Sequence, residues 1–61
     1  MEMLKSEVID GVSYELLTND GRVFIFRIYD VDAGEVLPVI TRGPRGPVEA
    51  HYDKAVRYAK F

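Results

Sequence analysis

Two Asp-Gly signals, "IDG" at 9 to 11 and "NDG" at 19 to 21, divide residues 2 to 29 into three strand-length runs of mixed apolar and polar positions, the third of which, "RVFIFRIY", is apolar on both sides. A period of two marks half-buried strands, and Asp-Gly supplies the positive φ that tight turns between them require. The spacing predicts strands over residues 2–8, 12–18 and 22–29. A three-residue loop at Asn19, Asp20 and Gly21 sets Thr18 opposite Arg22 and brings Leu16, Tyr14 and Val12 opposite Phe24, Phe26 and Ile28, six apolar residues on one face. A two-residue loop would instead pair Tyr14 with Arg27 and split the aromatics from their partners. The same three-residue rule at Ile9, Asp10 and Gly11 pairs Val8 with Val12, Ser6 with Tyr14 and Leu4 with Leu16, and sets Lys5 opposite Glu15.

After "YDVDAGE" the run Val36 to Ile40 reads as a fourth strand, over residues 36–40, with Leu37 and Val39 turned toward the core. Pro38 has no N–H to give a ladder, so this strand belongs at an edge. From Pro47 the period changes to 3.6: Val48, Tyr52, Ala55, Val56 and Ala59 fall on one stripe, with Glu49, Asp53, Arg57 and Lys60 on the other side. Pro47 suits the first helical position, and the charges suit the two ends of a helix over residues 47–60. The pattern specifies an α+β fold: a four-stranded antiparallel β-meander with one C-terminal α-helix packed on one face, in a single domain over residues 1–61.

A chain of 61 residues without cysteine buries only about 60% of the surface its unfolded form exposes and has no disulfide to supplement a small core. Partner chains are the natural supplement. "MEMLKSEVID" carries no continuous apolar run, so neither a signal peptide nor a membrane span is expected, and the protein reads as cytoplasmic with no membrane association. A net charge of -2 gives no general attraction to a polyanion, so nucleic-acid binding would need a local basic patch.

His51, the one histidine, sits beside the predicted helix stripe with no nucleophile at a defined spacing, and no catalytic residue is assigned. "DVDAGE" departs from the calcium-loop pattern where Gly34 stands for a ligand and Glu35 for a glycine, so it reads as a solvated turn, with no metal and no cofactor expected. "TRGPRGP" lacks the phosphate-loop fingerprint, yet the register gathers Arg22, Arg42 and Arg45 near the start of the helix. Three guanidinium groups there define an anion-binding candidate, against which Gly43, Pro44, Gly46 and Pro47 read as a stiff corner. If Gly46 supplies a left-handed residue to that corner, valine there destabilises the domain.

The other sheet face collects Met3, Leu17, Val23, Ile25, Tyr29, Val36 and Ile40, with Lys5, Glu7, Ser13, Glu15 and Arg27 toward one corner. One helix covers one face, and an apolar patch with a polar rim marks a partner site. The strand-strand-helix layout of residues 22 to 60 resembles the HicB-type antitoxin module, and three strands with a helix are similar to the integrase arm-binding domain. No diagnostic motif of either family is present, so no residue role follows. The sequence leads to a non-enzymatic protein-interaction module whose partner is a second copy of itself, a homodimer through the outer sheet face. The alternative is a nucleic-acid or phosphate-binding module using Arg22, Arg42 and Arg45.

Overall fold

A computed structural model describes all 61 residues. Four antiparallel strands, β1 (Glu2–Ile9), β2 (Val12–Thr18), β3 (Val23–Asp30) and β4 (Val36–Arg42), lie in sequence order in one sheet, and a helix, α1 (Arg45–Ala59), follows. This is the ββββα meander that the alternation specifies. The core forms where α1 meets the sheet: Leu16 and Phe24 are fully buried, with Tyr52 and Val56 of the helix stripe over them and Leu4, Ile9, Tyr14, Phe26 and Val48 around them. The Phe26 and Tyr52 rings meet edge to face at 5.7 Å, and the Tyr52 hydroxyl donates to the Tyr14 carbonyl at 2.9 Å. That bond lets an amphipathic ring enter the core with its polar atom satisfied.

The β2–β3 connection is longer than the three-residue loop. Thr18 pairs with Phe24, Leu16 with Phe26 and Tyr14 with Ile28, a shift of two residues from the sequence expectation. The cause is local hydrogen bonding: the Thr18 hydroxyl accepts the Gly21 N–H at 2.8 Å and donates to the Val23 carbonyl at 3.0 Å. Asp20 Oδ1 accepts the N–H groups of Arg22 and Val23, so Arg22 belongs to the loop. A shift of two preserves parity, and the predicted face keeps its six residues.

The β1–β2 hairpin differs more deeply. Ile9 pairs with Val12 across a two-residue turn, with Asp10 at φ 50° and Gly11 at φ 78°, the positive pair that a type I′ turn demands. Lys5 therefore opposes Leu16, and Ser6 opposes Glu15; the expected Lys5–Glu15 pair does not form. This one-residue slip turns Lys5, Glu7 and Ile9 toward the helix and Val8 outward, where it is 63% exposed. A bulge between Met3 and Lys5 restores the other register, leaving Met3 opposite Leu17. The extra residue is Leu4, which packs against the core.

The slip is matched by charges on α1. Lys5 Nζ lies 2.8 Å from Asp53 Oδ1 and 3.9 Å from Glu49 Oε2, and 5.9 Å over the Tyr52 ring. Glu7 and Lys60 pair at 2.6 Å. These half-exposed pairs contribute ~0.2–1 kcal/mol each, and they tie the helix to the β1 side of the sheet. Val39 and Leu37 share the helix-side face, as predicted, but α1 does not reach them, and they stay 55% and 61% exposed.

The helix also starts earlier than Pro47. Pro44 is the extended N-cap, with ψ 143° and no side-chain cap, and Pro47 is the third helical residue. A proline is tolerated there because the first-turn N–H groups have no intrahelical acceptor. Gly46 is consequently helical, and the positive φ of the corner, 146°, is at Gly43.

Candidate interaction surface

On the outer side, strand pairing lines up side chains in rows that cross the sheet. Met3, Leu17, Ile25 and Ile40 are successive partners across all four strands, an unbroken apolar row with no element packed over it. Ile40 is 69% exposed, whereas Leu17, flanked in its row by Met3 and Ile25, is 7% exposed. A second row runs through Val8, Ser13, Tyr29 and Val36. Val23 stands beyond the first row, opposite Arg42.

Between the two rows lies a polar one: Ser6, Glu15, Arg27 and Pro38. Glu15 Oε1 accepts from Arg27 Nε at 2.7 Å, directly across the two central strands. The polar residues therefore cross the middle of the face rather than one corner, and Lys5 and Glu7 are not among them. Val8 joins this face, in place of the side expected from a three-residue loop, because the "IDG" hairpin turns through two residues; Asp-Gly is the sequence signal for that turn.

Neither sheet edge invites another strand. The Asp30 N–H donates to the Glu35 carbonyl and the Gly43 N–H to the Arg22 carbonyl at the two ends of the β3–β4 ladder. Bonded and non-bonded pairs alternate in such a ladder, which makes Arg27–Pro38 a non-bonded pair and aims the Pro38 nitrogen at the open edge. A partner strand would find no donor there. The β1 edge is interrupted by its bulge, a second common protection.

Of the three arginines, Arg22 and Arg42 come together, and Arg45 at the helix start is engaged by Glu49. Arg22 and Arg42 flank a shallow surface depression with Asp20, Gly43 and Pro44. The N–H groups of Val23 and Arg22, helped by the charge of Arg42, hold the Asp20 carboxyl below its ordinary value. Arg45 Nε donates to Glu49 one turn along the helix. Glu49 thus competes with any external anion for the Arg45 guanidinium.

A cleft of about 340 Å3 opens between α1 and the β4 side of the sheet, floored by Leu16, Phe26 and Val39 and bordered by Val48, His51 and Pro44. His51 is exposed at this border. The "DVDAGE" segment is a surface turn closed by its own residues: Asp30 Oδ1 accepts the N–H groups of Asp32 and Ala33. No three His, Asp or Glu side chains are grouped to hold a metal ion, and no helix is long and apolar enough to cross a membrane.

No family model matches the chain, and neither does any curated protein or solved structure.

Proposed function

We propose that this protein is a non-enzymatic interaction module that binds a second copy of itself through the outer sheet face. The observation that carries this reading is the apolar row Met3, Leu17, Ile25 and Ile40, which crosses every strand on the side away from α1. Size supports it. Only seven of the 61 residues are buried, five of them hydrophobic, so a sheet packed on one side has much to gain from a cover on the other. The molecule measures 31 × 23 × 15 Å, and its broad face is comparable to the ~800 Å2 per partner of a standard interface.

The alternative, a nucleic-acid or phosphate site at Arg22, Arg42 and Arg45, has less support because Glu49 engages Arg45 and Asp20 lies in the field of Arg42. Sedimentation equilibrium on the unmodified protein and on Ile40→Glu separates the readings. Ile40 is a surface side chain in the monomer, so the variant should keep its circular dichroism and sediment as a monomer, while the unmodified protein sediments as a dimer. A monomeric unmodified protein at high micromolar concentration rejects self-association. Binding to DNA or RNA that weakens with salt and is lost in Arg42→Ala would favour the alternative.

A further inference from the structure

The polar row specifies how two copies would meet. Glu15 and Arg27 are partners on the two central strands, one acid and one base on either side of the midline of the face. A twofold axis across the strands would set Glu15 against Glu15 and Arg27 against Arg27. An axis along the strands, between β2 and β3, exchanges the two positions. We propose that the homodimer forms about this second axis, so that Glu15 of each copy stands across from the partner's Arg27 and the two intramolecular ion pairs merge into one four-membered network.

Three features of the face fit this axis and not the other. Arg27 uses its Nε toward Glu15 of its own chain, leaving its terminal amino groups, with four more N–H donors, for a second carboxylate. The same operation sets the part-exposed Tyr29 and Ile25 of each copy over the partner's Ser13 and Leu17, which are 9% and 7% exposed in the monomer and form a nearly flat floor beneath them. The crossed axis would set Tyr29 on a row of the partner that its own Met3, Leu17, Ile25 and Ile40 occupy, and bury like charges between them. Aligned sheets cross by about 30°, which displaces central pairs least, and these three pairs are the central ones.

The inference rests on the self-association proposed above, and the experiment distinguishes the two. The double variant Glu15→Arg with Arg27→Glu keeps the ion pair within each chain and, about the proposed axis, keeps it between copies, so it should form homodimers as the unmodified protein does. Mixing the two proteins is the test. In a mixed dimer, Glu15 would face a glutamate introduced at position 27 and Arg27 an arginine introduced at position 15, so native mass spectrometry after subunit exchange should show two homodimers and a loss of the mixed species that random exchange would make half of the total. Mixed dimers at or above that fraction would overturn the axis while leaving the interface intact. A double variant that is folded but monomeric would overturn it as well. A monomeric unmodified protein would overturn both the axis and the self-association it rests on. The single variant Glu15→Arg, which sets arginine against arginine within and between copies, should be monomeric.

Discussion

Two glycines show how backbone conformation, not residue type, decides what a substitution does. Gly11 has φ 78° at the second position of its turn, where a Cβ costs about 1–2 kcal/mol. Gly46 is helical, with open space where a Cβ would go. Gly46→Ala should stabilise the domain by about 0.4–1 kcal/mol, and Gly11→Ala should destabilise it; thermal melts of the pair check both signs. Tyr52 carries the other residue-scale prediction. Burial, then the nearby charges of Glu7, Asp53 and Glu15, raises its pKa above the ordinary 10.0. The fold therefore retains the phenol proton more tightly than the unfolded chain does. That contribution is whole below pH 10.0 and is lost as pH rises through the folded value. Tyr52→Phe should cost about 1 kcal/mol at neutral pH by removing the bond to the Tyr14 carbonyl. It should also flatten the fall in stability on the alkaline side, measured by urea titration at several pH values.

At the scale of elements, facing the helix and being covered by it are separate properties. Leu37 and Phe24 project on the same side of the sheet, yet Phe24 is fully buried and Leu37 is mostly exposed. Phe24→Ala should cost about 3–5 kcal/mol, against a total of about 3–9 kcal/mol for a chain of this length at 0.05–0.15 kcal/mol per residue; urea titration should find a large share of the stability gone. Leu37→Ala should stay within about 0.5 kcal/mol. The difference follows from where α1 lies, and α1 is held on the β1 side by the Lys5–Asp53 and Glu7–Lys60 pairs. Those pairs exist only because a two-residue turn puts Lys5 and Glu7 on the helix side.

For the whole molecule, the small core and the uncovered face tie stability to assembly. If two copies bind through the outer face, each stabilises the folded form of the other by mass action. The melting temperature of the unmodified protein should rise with protein concentration, and that of Ile40→Glu should not. Differential scanning calorimetry over a hundredfold range of concentration reads this directly; a concentration-independent melt of the unmodified protein counts against the dimer.

The sequence by itself determined the order of elements, the sides of β2, β3 and β4, the helix stripe of Tyr52 and Val56, and the shared face of Met3, Leu17, Ile25 and Ile40. All of these except Met3 depend on parity or on a 3.6-residue period, and both survive a loop that is two residues longer than expected; Met3 keeps its side because the bulge at Leu4 cancels the one-residue slip of the first hairpin. The register of β1 was left to the tertiary structure, because "IDG" accommodates a two- or a three-residue turn and the choice inverts the side chains of β1 from Lys5 to Ile9. The Asp-Gly pair favours the two-residue turn locally, and α1 with its C-cap residue Lys60 supports that choice by bringing Glu49 and Asp53 to Lys5 and Lys60 to Glu7 from more than forty residues away.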